Sequence, residues 1–437
     1  MTKEELKQQV CAAIEKRADE FMAIAKDIFQ EPELGFKEVK TSQKIQDVFT
    51  KLKIPFEKEL AITGVKGRLK GKSSQRTVAV IGELDAIICR AHSSADETTG
   101  AAHCCGHNVQ IANMLGIAMA LQDTNAMQYL NGDVALFAVP AEECIEIEYR
   151  NALREKGKLH YFGGKQELIY LGHFDDIDAA MQMHVAHTES EDGDIAIGGP
   201  CNGFISKLIE YKGRASHAAM APDKGINALN AAMLGIMGVN ALRETFREDD
   251  YIRFHPIITS GGDLVNVVPD FVRMESYVRA SNPEALINNN ERIDNALKAG
   301  AMAVGATCEV HNLPGYLPMI QDQNMTAMLA ENCADIFGES NIIYPPPEPG
   351  STDMGDVSQL IPIIHPWVGC IHGALHSADF EVVFPKTAYI KSAQVLAMTL
   401  IDLLYGQGEG LEKVLSEFTP KMTKEQYIAY MTTIEKM

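Results

Sequence analysis

The chain has 437 residues, 46% of them hydrophobic and 22% charged, an ordinary globular balance that excludes a disordered or fibrous chain. Its formal net charge of −20 would repel a polyanion, so neither nucleic acid nor an anionic membrane is expected as a partner. The length exceeds what one hydrophobic core usually supports, so more than one domain is expected.

The N-terminus is charged and does not read as a signal peptide. No uncharged apolar run reaches the ~18 residues a membrane span needs. Nine cysteines, an odd number without regular spacing, argue against a disulfide framework and for a reducing cytoplasm.

In chain order, Leu6, Val10, Ala13, Ile14, Ala18, Phe21, Ile24, Ala25 and Ile28 recur at helical spacing, and Pro32 and Gly35 mark the end of that helix. A second amphipathic helix is predicted from Thr41 to Leu52. Thr77–Ile81, Asp133–Val139 and Ala179–His184 are short apolar runs that read as strands covered on both faces. Val109–Leu121 reads as a helix between them. Strand, helix, strand alternation predicts an α/β sheet with parallel members.

The pattern changes near Gly198-Gly199-Pro200. Strand Phe204–Tyr211, helix Gly225–Glu244, strands Tyr251–Thr259 and Phe271–Ala280, helix Pro283–Val304 and strand Ala306–His311 follow in the βαββαβ order of a ferredoxin-like α+β unit. The α/β character resumes after Pro314, and a helix is predicted near Ala388–Leu404. The expected organisation is an α/β domain in two segments, 1–198 and 315–437, interrupted by an inserted domain over 199–314.

Five clusters can carry chemistry. His103-Cys104-Cys105-Gly106-His107-Asn108 offers Cys105 and His107, both good ligands for a borderline-soft metal, although buried inert cysteine is common. Glu142 and Glu143 follow a strand that stops at Pro140. One carboxylate can bind metal while its neighbour takes a proton from water; a solvated acidic turn is the plainer reading. His184 and His376 are each weak alone. Glu83-Leu84-Asp85 follows a strand and can bind metal or orient a ligand histidine. Position raises the odds, because Glu83 to Asp85, Glu142 to Glu143 and His184 all fall just past predicted strand ends, where open α/β sheets bind ligands.

Taken together these motifs resemble the co-catalytic zinc aminoacylase and carboxypeptidase family, in its amidohydrolase branch. The subgroup of aminobenzoyl-glutamate hydrolase subunits and related dipeptidases looks nearest. The resemblance rests on Glu83-Leu84-Asp85-Ala86, on the Cys105-Gly106-His107 motif and on Gly350-Ser351-Thr352-Asp353-Met354-Gly355-Asp356-Val357-Ser358. It spans almost the whole chain.

The resemblance implies a mixed, mostly parallel, zinc-peptidase-like core with an inserted lid or dimerisation domain. It implies a homodimer and a small amide substrate: an N-acyl amino acid, an aminobenzoyl-glutamate-like molecule or a dipeptide. Two divalent ions, Zn or Mn, would be held by Cys105, His107, Glu143, His184 and His376. Glu142 would be the general base, and Asp85 or Glu83 would support the site. In the insertion, His217 matches a lid histidine that stabilises the oxyanion, Asn266 a substrate contact, and Arg279 a carboxylate clamp suited to a guanidinium fork. A non-catalytic metal-binding partner subunit is the alternative.

Three features depart from the family pattern: the Ile87–Glu97 loop where relatives carry Leu-Pro, Cys104 beside Cys105, and a long polar stretch from Cys144 to Gly172 that is expected to cover the cleft.

Overall fold

The structure, a computed structural model, describes residues 1–190 and 192–437. The chain divides into two compact units. The first comprises Met1–Pro200, Ile320–Pro346 and Asp356–Lys424; the second comprises Cys201–Met319, Pro347–Gly355 and Glu425–Met437. The sequence reading placed Pro347–Gly355 and the C-terminal helix Lys424–Lys436 with the α/β segment. In the structure Ile434 of that helix packs with Ile205, Ala280 and Leu286 of the second unit.

The first unit is built on a six-stranded mixed sheet. Its order is Phe56–Leu60, Gly64–Leu69, Asp133–Val139, Thr77–Glu83, Ala179–Met181, Ile363–Ile364. The pairings from Asp133–Val139 through Ile363–Ile364 are parallel, and the first two are antiparallel. Every residue of Thr77–Glu83 and Asp133–Val139 is buried, as expected of parallel strands covered on both faces. Helix His107–Asp123 is buried throughout from His107 to Leu121, which explains why its sequence lacks an apolar stripe set against a polar face. It packs closely on helix Lys3–Gln30: a methyl group added at Gly116 would lie 3.0 Å from the Phe21 ring.

Parallel register sets up the site. Glu83 pairs with Val139, so the two strands end level, and the Glu83–Asp85 and Glu142–Glu143 segments leave the sheet at one edge.

One expectation is corrected. Ala179–His184 is not a single strand. Ala179–Met181 belongs to the six-stranded sheet, whereas His184–His187 pairs with Trp367–His372 in a second sheet. His184 therefore opens a strand instead of closing one. Its partner segment crosses over with it, because the backbone bonds of Ala180, Gln182 and His184 run successively to Pro362, Ile364 and Pro366.

The second unit holds the βαββαβ order read from the sequence. Its four-stranded antiparallel sheet runs Arg253–Ser260, Phe271–Ala280, Gly203–Lys212, Thr307–Pro314, with helices Ala228–Leu242 and Pro283–Val304. Its core gathers Ile209, Tyr211, Val239, Phe254, Met274 and Leu297. Among the described residues no helix is long and apolar enough to cross a membrane.

Candidate metal centre

Cys105 and His107 sit where an irregular segment turns into helix His107–Asp123. Gly106 makes that turn at φ +82°, and its missing side chain matters as well, because a Cβ there would stand 2.3 Å from Val185 Cγ2. Across the sheet edge, Ala141 adopts φ +55° and aims the Glu142–Glu143 pair inward. Both carboxylates are buried.

The structure brings all five sequence-proposed ligands together. Cys105 Sγ lies 3.5 Å from His184 Nε2 and 3.2 Å from His376 Nε2, and His376 Nε2 lies 2.9 Å from Glu143 Oε1. Cys105, His107 and His184 form one group whose donor atoms lie within 4.8 Å of one another; Cys105, Glu143 and His376 form a second. The thiolate position is common to both. A third such group is Glu83, His107 and Glu142, with Glu142 Oε2 3.9 Å from His107 Nε2.

These donors suit a divalent ion. His107 Nε2 and Glu143 Oε1 are buried and take no hydrogen bond of good geometry, although they face the cluster. Buried polar atoms are rarely left so, and a bound cation would satisfy both. A thiolate, imidazoles and a carboxylate match the ligand preferences of zinc. Ring orientation is fixed from behind: His107 Nδ1 donates to Asp85 O at 2.9 Å, with Asp85 Oδ1 3.2 Å away, and His184 Nδ1 donates to Val185 O at 2.9 Å. Such outer hydrogen bonds select the tautomer that leaves Nε2 for metal. Asp85 Oδ2 also accepts from Glu143 N–H at 2.9 Å, so Asp85 braces two ligands at once.

Electrostatics hold two of the ligands, Glu143 and His184, in the form that binds metal. Burial would raise the Glu143 carboxyl, but His376 and His107 beside it bring it down to about 2. Burial holds His184 neutral, down at about 4. Burial, with Glu143 next to it, raises the Cys105 thiol well above its usual range, so ion uptake must displace that proton.

Glu83 does a different job from Asp85. It is fully buried, with Oε1 bonded to Lys165 Nζ at 2.6 Å and Gln182 Nε2 at 2.7 Å, and Oε2 bonded to Gln110 Nε2 at 2.8 Å. Burial alone would raise its carboxyl; the Lys165 ammonium outweighs that and holds it well below the usual carboxylate range. Oε2 also lies 3.0 Å from His107 Nε2.

Lys165, Gln110 and Gln182 were not singled out in the sequence, nor was Arg150. Arg150 is buried, stacks on Phe36, and donates to the backbone carbonyls of Ala141, Glu143 and Phe162, clamping the acidic turn from below. Lys165 and Arg150 both lie in the Cys144–Gly172 stretch. That stretch was expected to cover the cleft; these two side chains reach under the site. Charged residues of this kind read as surface, and no sequence signal marks them.

The other candidates lie in the second unit. His217 is exposed, and its Nδ1 accepts from Ala219 and Met220 N–H at 3.3 and 3.1 Å, which leaves Nε2 to carry the proton. Ala218 N–H bonds Asn266 O at 2.9 Å, holding His217 and Asn266 on adjacent segments. Arg279 stacks over Phe204 and Tyr277 and donates to Ser351 Oγ at 2.7 Å.

Two buried histidines outside the ligand set give a stability prediction. Burial lowers both His103 and His365 to about 3. Unfolded, both regain an ordinary value near 6.5 and bind protons that the folded chain refuses. Stability is therefore intact above ~6.5 and falls as pH drops toward the folded values, by roughly 2.7 kcal/mol per unit for two protons. Calorimetry should find a markedly lower Tm at pH 5 than at pH 7; equal Tm values would show that these imidazoles stay charged in the fold.

The profile of peptidase family M20/M25/M40 matches residues 79–402. A Xaa-Arg dipeptidase of Mus musculus is 27% identical over 445 residues, covering 97% of this chain and 94% of that protein. A dinuclear metal-binding M20 peptidase of Bacillus subtilis superposes with a TM-score of 0.66 at 22% identity, covering 89% of this chain and 98% of that one. The aminobenzoyl-glutamate utilization protein of Klebsiella pneumoniae superposes with a TM-score of 0.65 at 18% identity, covering 90% and 98%.

Proposed function

Since the chain belongs to peptidase family M20/M25/M40 and is a metal-dependent hydrolase of amide bonds, we propose that it cleaves small dipeptides or N-acyl amino acids at a two-metal centre. The observation that carries this reading is the pair of three-donor groups sharing Cys105, with Glu142 beside them. A purely structural metal site has no use for an adjacent buried carboxylate outside its ligand set. That argues against the alternative of a non-catalytic partner subunit.

Cys105, His107 and His184 would hold one ion, and Cys105, Glu143 and His376 the other, with zinc or manganese the proposed metals. When bound, the ions supply Lewis acidity, making water acidic enough to lose a proton near neutral pH and polarising the amide carbonyl. Glu142 takes that proton and returns it to the leaving amine nitrogen. Asp85 keeps His107 and the Glu143 backbone in place, while Lys165 holds Glu83 anionic and fixed so that it does not compete with Glu142 for the proton. In the second unit, His217 is the proposed oxyanion donor through Nε2–H, Asn266 a substrate contact and Arg279 the carboxylate clamp.

A homodimer is also proposed. Arg253–Ser260 is an edge strand with Ile257 and Ile258 exposed, and Met233, Met237, Leu264 and Val265 are exposed in the same unit. An apolar edge of this kind calls for a covering partner. The cytoplasm is the proposed location, in keeping with a cysteine-bearing chain that shows no disulfide framework.

The test is a panel assay of zinc- and manganese-reconstituted protein on dipeptides with basic and neutral C-terminal residues, N-acetyl amino acids, hippurate and aminobenzoyl-glutamate. Hydrolysis of at least one class, lost on chelation and regained with metal, is expected. No turnover on any member with both metals bound would favour the partner-subunit alternative.

A further inference from the structure

Two of the departures from the family pattern meet in space. Cys89 lies in the loop that replaces the family's Leu-Pro, and Cys104 stands beside the shared ligand. Strands Ile87–Ile88 and Ala101–Ala102 pair antiparallel, and Cys89 N–H bonds Gly100 O at 2.8 Å. This hairpin folds Cys89 back against the chain that leads into Cys104, which brings the two thiols near enough to influence each other. Both also attach to the same ligand-bearing residue. Cys104 O accepts from His376 N–H at 2.8 Å, and Cys89 Sγ donates to His376 O at 3.9 Å.

We propose that Cys89 and Cys104 are an oxidation site, a dithiol that closes to a disulfide and thereby weakens the metal centre. Access sets the order of events. Cys104 is buried and Cys89 only partly so, which makes Cys89 the thiol an external oxidant meets. With a low-molecular-weight disulfide as oxidant, Cys89 gives up its proton and attacks one sulfur, forming a mixed disulfide and releasing one small thiol. Cys104 then loses its proton and attacks Cys89 Sγ, forming the protein disulfide and releasing the second small thiol. Two electrons pass from the two cysteines to the oxidant, and their two protons appear on the two released thiols.

Closure needs a sulfur separation of about 2.05 Å, much less than any non-bonded sulfur contact, so one side must move. Cys104 is buried beside Cys105 whereas Cys89 is only partly buried, so Cys89 is the side that moves. The bond abolishes the Cys89 S–H that reaches His376 O. His376 is a non-glycine residue at φ +63°, a conformation that persists only when its neighbours impose it. Loosening it disturbs the group formed by Cys105, Glu143 and His376. Loss of such outer support of a ligand costs about 10-fold or more in metal affinity or activity.

The test treats the full-length, metal-loaded protein with oxidised glutathione and reads intact mass, non-reduced peptide maps, metal retention against a chelator, and turnover. The activity arm rests on the amide-hydrolase reading; the linkage and metal arms do not, so the two can fail separately. Expected are a loss of two hydrogens, a Cys89–Cys104 cross-linked peptide, metal retention or turnover lowered about 10-fold, and recovery with dithiothreitol. Cys89→Ser and Cys104→Ala, each compared with its own reduced form, should lose the cross-link and the sensitivity. A bond mapped through Cys105, a mixed disulfide that stays on Cys89, or a Cys89–Cys104 link that changes neither metal retention nor turnover would overturn the proposal.

Discussion

Glutamine in place of Glu142 is expected to lower turnover by about 10²–10⁴-fold while leaving metal content unchanged. The substitution keeps size, shape and hydrogen-bonding reach but removes the basicity that takes up a proton. The geometry separates Glu142 from its neighbour. Glu143 Oε1 faces His376 Nε2 at 2.9 Å, inside the ligand group, whereas Glu142 Oε2 stands 3.9 Å from His107 Nε2 and belongs only to the group lacking Cys105. The left-handed backbone at Ala141 and the Arg150 clamp on the flanking carbonyls hold the turn that makes this division. Steady-state kinetics with elemental analysis on the same preparation decides the point. A Glu142→Gln protein with near-normal kcat would remove Glu142 from the chemistry, and one that loses metal would make it a ligand.

The sequence was most legible where a side chain's environment is set by its own strand or helix. Asp133–Val139 and Phe271–Ala280 occur with the expected bounds, because continuous burial leaves an unbroken apolar run and one-sided burial leaves alternation. The βαββαβ order could be read for the same reason. What failed to show was anything decided by a distant partner. The switch of sheet between Met181 and His184 depends on where the 362–367 segment travels. His376 owes its place to a left-handed backbone and to the Cys104 carbonyl, neither of which has a local pattern. Lys165 and Arg150 look like surface charges until Glu83 and the carbonyls of the acidic turn are seen around them. The five ligands came into view through a resemblance to known hydrolases. Their residue types alone left inert alternatives open, and only their convergence on one thiol position tells the two apart.

That convergence makes Cys105→Ala the second substitution with a large effect. Cys105 is the donor shared by the two groups built from the five proposed ligands, so its loss leaves His107 and His184 for one ion and Glu143 and His376 for the other. Catalytic zinc keeps three protein ligands. Neither remaining pair meets that number, and a fall in turnover of about 10³-fold or more should accompany metal loss. The fold should survive, because the change deletes a single sulfur from a site whose backbone is held by Gly106 and the following helix. Near-native circular dichroism with metal content well below that of the wild type is therefore the expected pair of results. Cys104→Ala is the matched control: its side chain is equally buried and one residue away, yet it points toward Cys89 and contributes no donor to either group. If Cys105→Ala kept two ions at wild-type affinity, the shared thiolate would have no role in binding. If Cys104→Ala lost metal to the same degree, the effect would belong to local packing and not to the sulfur that both groups share.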